Sequence, residues 1–114
     1  MKKILIVFSL VALLGCTSDN FEEFYNINDE CSELGTSFQN DIQPIISTNC
    51  AISGCHVTGT GLPPWQTYNQ ISARAEDIAI RITIDMPPSV SGKSLTATEI
   101  AQIQCWAEAG TPNN

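Results

Sequence analysis

The chain of 114 residues is short of positive charge, with five Lys and Arg against twelve Asp and Glu and a formal charge of −7. Such a chain is repelled by phosphate backbones, so nucleic acid is not an expected partner. A protein met through electrostatics should offer it a basic surface. Histidine occurs once, as His56, and methionine twice, as Met1 and Met86. That scarcity limits any metal site built on imidazoles or thioethers to very few choices. Long apolar runs are lacking too. The longest, "ILIVFSLVALL", has eleven residues and is too short to span a bilayer as a stable helix. No segment alternates convincingly as a strand.

What is present begins at the amino end. A basic "MKK", the apolar run and "LLGC" follow the order of a secretory signal peptide. Leu13-Leu14-Gly15-Cys16 resembles the bacterial lipobox, which implies that residues 1–15 are removed and that Cys16 is acylated. The expected address is then outside the inner membrane, in a disulfide-permissive space. A lipid holds the chain to a bacterial membrane, on the periplasmic side or at the outer membrane and cell surface. Without Lys2 and Lys3, the basic residues Arg74, Arg81 and Lys93 face all twelve acidic ones, a formal charge of −9. Residues 16–33 are polar and acidic and read as a tether. Residues 34–114 read as the folded domain.

Three segments of that domain have helical spacing. In "SFQNDIQPIISTNC", Phe38, Ile42 and Ile45 or Ile46 recur on one face, with Ser37 or Asp41 as N-cap. Pro44 must either sit in a first turn or kink the helix, and the regular part should begin near Asp41. Residues 67–83 carry the stripe Ile71, Ala75, Ile78 and Ile82, as one helix or as two broken near Ser72. In "LTATEIAQIQCWAEAG", Thr96 and Glu99 form a capping box, and Leu95 and Ile100 stand at the staple positions. Ile100, Ile103, Trp106 and Ala107 make its buried face. Gly110 and Pro112 end it. The glycine- and proline-rich stretches between these segments are loops. The fold class is all-α, with too few helices to close a large core.

The chemistry concentrates in "CAISGCH", residues 50–56. Two thiols with four residues between them, followed at once by an imidazole, admit three readings. A Cys50–Cys55 disulfide is feasible and leaves His56 a bystander. Zinc would find at most three ligands here, and adjacent side chains seldom point at one metal. Covalent haem attachment normally uses C-x-x-C-H, which this stretch matches except in its gap. Haem in a low-spin carrier asks for a second axial ligand, usually Met or His. Once Met1 is gone only Met86 remains, thirty residues after His56 in the proline-stiffened "DMPPS".

Taken in order, "SFQNDIQPII", "CAISGCH", "LPPWQTY", "MPP" and "LTATEIAQIQCWAEAGTPNN" resemble the small mono-haem c-type cytochrome domains of bacterial exported lipoproteins. The resemblance covers residues 36–114 and departs from the common pattern in the four-residue gap. It implies a small class I cytochrome c-like domain of three to four helices and long loops around one covalently bound haem c. Cys50 and Cys55 would form the thioether links, and His56 and Met86 would be the axial ligands of the iron. With both axial sites filled, the protein would carry single electrons by outer-sphere transfer and would not be an enzyme. Its partners would be redox proteins with a basic docking surface. Trp65, Tyr68, Arg74 and Arg81 are candidates to hydrogen-bond the propionates.

If haem takes Cys50 and Cys55, and lipid takes Cys16, then Cys31 and Cys105 remain to pair. Their bridge would close a loop of about 74 residues, worth roughly 4 kcal/mol in the chain-entropy account. Two other functions compete. One is a disulfide-stapled lipoprotein that binds a partner without a cofactor. The other is a haem sensor or peroxidase-like protein, which requires that Met86 not be a ligand.

Overall fold

The computed structural model describes residues 30–114. The expected signal peptide, the expected lipidation at Cys16 and most of the expected tether lie outside the described residues. Among the described residues there are helices, turns and no strand. A π-helical turn, Phe38–Ile42, runs into α1 (Gln43–Asn49). After a long loop come α2 (Tyr68–Ser72) and α3 (Ala75–Arg81), then a single 3-10 turn at Ser89–Ser91, then α4 (Ala97–Glu108). The all-α class expected from the sequence is the one observed. No helix among these residues is long and apolar enough to cross a membrane.

The first helical segment starts three residues earlier than the sequence suggests. Ser37 is the N-cap, its Oγ accepting from the Asn40 amide at 3.1 Å, while Asp41 Oδ2 accepts from the Ser37 amide at 2.8 Å. Both candidates therefore act at one helix end. Pro44 explains the wide turn that precedes it. Its ring crowds the carbonyl four residues back, and widening the turn to bonds five residues long relieves that crowding. The Ile42 amide accordingly reaches Ser37 O at 3.2 Å.

The segment 67–83 is two helices, broken after Ser72. Thr67 and Gln70 form a second capping box, in which Thr67 Oγ1 accepts from the Gln70 amide and Gln70 Oε1 accepts from the Thr67 amide. In the box that opens α4, Glu99 Oε2 accepts from the Thr96 amide at 2.7 Å. Gly110, at φ 86, turns the chain out of α4 in the left-handed region where glycine is at ease.

Phe38, Ile42, Ile46, Ile71, Ile78, Ile103 and Trp106 form the centre of the core. Burying each such side chain is worth about 1.5–3 kcal/mol. The Phe38 ring meets Tyr68 edge-on, with centroids 5.0 Å apart, and lies 5.6 Å from Trp106. This aromatic trio ties the first helical segment to α2 and α4. α3 packs along α4, which also packs against the π turn. Residues 111–114 fold back over the same junction. Trp106 Nε1 donates to Pro112 O at 2.9 Å, and Asn114 accepts from the Phe38 and Gln39 amides. Two amides at a helix start, which have no partner within the helix, are satisfied in this way.

Cys31 and Cys105 form a disulfide, their Cα atoms 5.2 Å apart. This is the expected pair. Its setting differs from expectation, because Cys31 lies within a helical turn, residues 30–34, that straddles the expected boundary between 33 and 34. The cross-link ties that turn to Cys105 on α4.

Candidate functional site

α1 ends at Asn49, and the chain then winds into a compact loop. The Cys50 and Ala51 amides both donate to Ile46 O at 2.8 Å, Cys55 donates to Ile52 O, and the His56 amide returns to Cys50 O at 3.1 Å. Gly54, at φ 82, makes the reversal. The four residues between the cysteines are thus taken up in a closed turn. Cys50, Cys55 and His56 line one cavity together. Cys50 and Cys55 are not bonded to each other, and Cys50 is buried. Burial pushes the Cys50 thiol up to about 11, with the nearby Cys55 adding to the effect, so it is a protonated thiol at neutral pH.

His56 is held from two sides. Its Nδ1 lies 2.8 Å from Pro63 O. A carbonyl oxygen can only accept, so Nδ1 carries a proton, which in the neutral ring leaves the lone pair on Nε2. The Trp65 ring stacks on the imidazole, with centroids 3.5 Å apart and planes 3° from parallel. The Trp65 amide also donates to His56 O at 3.0 Å, closing the loop between them. Trp65 is buried, and its indole Nε1 has no hydrogen-bond partner.

Another part of the lining comes from the segment that follows α3. The amides of Asp85 and Met86 both donate to Arg81 O at 3.1 Å, and the side chains of Arg81 and Asp85 pair at 2.7 Å. These bonds deliver Met86, Pro87 and Pro88 to the cavity lined by Cys50, Cys55, His56 and Trp65. The cavity is small, about 80 Å³, and overwhelmingly apolar. Met86–Pro88 also line an open groove of about 630 Å³, together with Ile82, Ile84, Leu95 and Ile100.

The four residues singled out in the sequence for one site, Cys50, Cys55, His56 and Met86, therefore converge. Of the four polar candidates, only Trp65 reaches the cavity. The Tyr68 hydroxyl instead donates to Thr111 O at 2.7 Å. Arg74 lines a separate groove beside Ser72 and Thr111, and Arg81 is paired with Asp85. No three His, Cys, Asp or Glu side chains among the described residues gather as a metal-ligand set. The roles of Pro63 and of the Trp65 stack are not legible in the sequence. The one signal for them is "LPPW", which begins six residues after His56 and by composition reads only as a loop.

Comparisons with protein-family models, with curated proteins and with solved structures find no match to this chain.

Proposed function

We propose that the chain is an exported, lipid-anchored mono-haem c-type cytochrome of class I-like fold that carries single electrons. The observation that carries this reading is the convergence of two unpaired thiols, a bare imidazole nitrogen and a thioether on one apolar cavity. That donor set is the one covalent haem requires. Cys50 and Cys55 would hold the group through thioether bonds. His56 Nε2 and Met86 Sδ would ligate its iron. The bound group would supply a one-electron couple, its potential set by the His/Met pair and the apolar surroundings. The buried Trp65 N–H, without a partner, fits a carboxylate oxygen of such a group. The exposed apolar side chains of Leu62, Ile84 and Val90 lie on the segments that frame the site. They suit brief docking with a redox protein whose basic rim meets the acidic domain.

The size of the cavity favours the second reading, a disulfide-stapled binding module with no cofactor. Pockets for large ligands run to about 300–1,000 Å³, well above the volume here. Under the cytochrome reading the Met86–Pro88 segment must separate from the Cys50–His56 loop. One experiment decides between the two. The protein is produced in a host competent for c-type maturation and denatured, and haem remaining with the polypeptide is measured. Retained haem is the expected result. Its absence, with Cys50 and Cys55 oxidised to each other, would establish the second reading. In haem-loaded protein, Met86→Ala should abolish the thioether–iron absorption band and lower the potential, and an unchanged spectrum would remove Met86 from the site.

A further inference from the structure

We infer that Trp65 is a positioning residue that fixes the plane and tautomer of His56, so that Nε2 is aimed before any ligand arrives. The inference rests on the reading above only in taking Nε2 as the ligating atom. The hydrogen bond from Nδ1 to Pro63 O is open to solvent. Alone, such a bond competes with water and leaves the ring free to swing. The stack removes that freedom. A parallel indole at 3.5 Å permits the imidazole to slide but not to tilt, and the backbone bond from Trp65 to His56 keeps the two rings in register. Trp65 is itself fixed by burial in the core. The imidazole thus meets a rigid wall on one face and an acceptor at Nδ1, and the remaining nitrogen is directed by exclusion. Preorganised ligands of this kind lose little freedom on binding.

His56 is the only histidine in the sequence, so its ring nitrogens give a single set of signals in NMR. In the haem-free wild-type domain they should report the Nδ1–H form. Trp65→Leu keeps an apolar side chain but removes the stack, and the signals should move toward the Nε2–H form that predominates in free histidine. Trp65→Phe keeps a stacking face and should retain the wild-type pattern. In haem-loaded protein, Trp65→Leu should also broaden or shift the low-spin ferric EPR signal. A wild-type His56 pattern in Trp65→Leu would overturn the inference, as would a Trp65→Phe pattern that moves with Trp65→Leu. The NMR measurement needs no haem. A failure of haem attachment would therefore count against the proposed function and leave the role of Trp65 standing on the NMR result alone.

Discussion

The Tyr68 hydroxyl donates to the carbonyl oxygen of Thr111 across 43 positions of sequence, at 2.7 Å. Thr111 is the one non-glycine residue described with a positive φ, 55°, and its amide donates to Trp106 O at 3.0 Å. A β-branched residue in that region is strained by about 1–2 kcal/mol. The bond from Tyr68 helps to hold it there. Tyr68→Phe should therefore cost about 1 kcal/mol in denaturant unfolding. Thr111→Gly relieves the strain and keeps both backbone bonds, so it should raise stability by about 1 kcal/mol. A loss of stability in the glycine variant would contradict this account.

Stability of the haem-free chain should fall in alkali. The Cys50 thiol titrates at about 11 in the folded chain against an ordinary 9.0. Below about pH 9 both states are protonated and the thiol makes no difference. Between about 9 and 11 the unfolded chain binds fewer protons than the folded one, so stability drops as pH rises, by about 2–3 kcal/mol in all. Unfolding curves at several pH values should show this slope, and Cys50→Ala should flatten it. At neutral pH the more accessible Cys55 should alkylate well before the buried Cys50.

The Cys31–Cys105 bridge should contribute roughly 4 kcal/mol, given the 74 residues it closes. Removing both cysteines by substitution with Ala should shift the denaturation midpoint by a corresponding amount. Reducing agent added to the wild type should give nearly the same shift. A midpoint indifferent to reduction would show that the cross-link does little for the domain.

Local bonds at helix starts should matter more than the visible ion pair. Thr67→Ala and Thr96→Ala each remove one half of a capping box and should cost about 1 kcal/mol. Arg81 and Asp85 are nearly half exposed, so Arg81→Ala should cost well under about 1 kcal/mol. Thermal melts of the three variants would rank them.

How much of the fold and site is legible in the sequence depends on how local each cause is. Thr96 and Glu99 stand at fixed spacing before an apolar period, so the start of α4 can be read directly. The break after Ser72 is visible as one of two options, although the Thr67–Gln70 box that begins α2 emerges only in the structure. Pro44 announces an irregularity, but only the packing of Phe38 and Ile42 makes a wide turn preferable to a later start. The convergence of Cys50, Cys55, His56 and Met86 is accessible because each is a rare residue with few alternative uses. Pro63 and Trp65 are not accessible as supports of His56. Their roles depend on how the loop closes, through a backbone carbonyl that carries no trace in residue identity. Tyr68 misleads for the opposite reason, since its hydroxyl suits many acceptors and only the returning tail shows which one it takes.

The disulfide also determines how the domain bears load. Tension on the segment before residue 30 enters at Cys31, and its shortest covalent route runs through the two sulfurs into α4. There it meets Ile103 and Trp106, among the most deeply buried side chains. The loop from Cys50 to His56 lies off that route. A pull on the amino-terminal segment is thus passed to α4 directly, and not along the loop that carries the thiols and the imidazole.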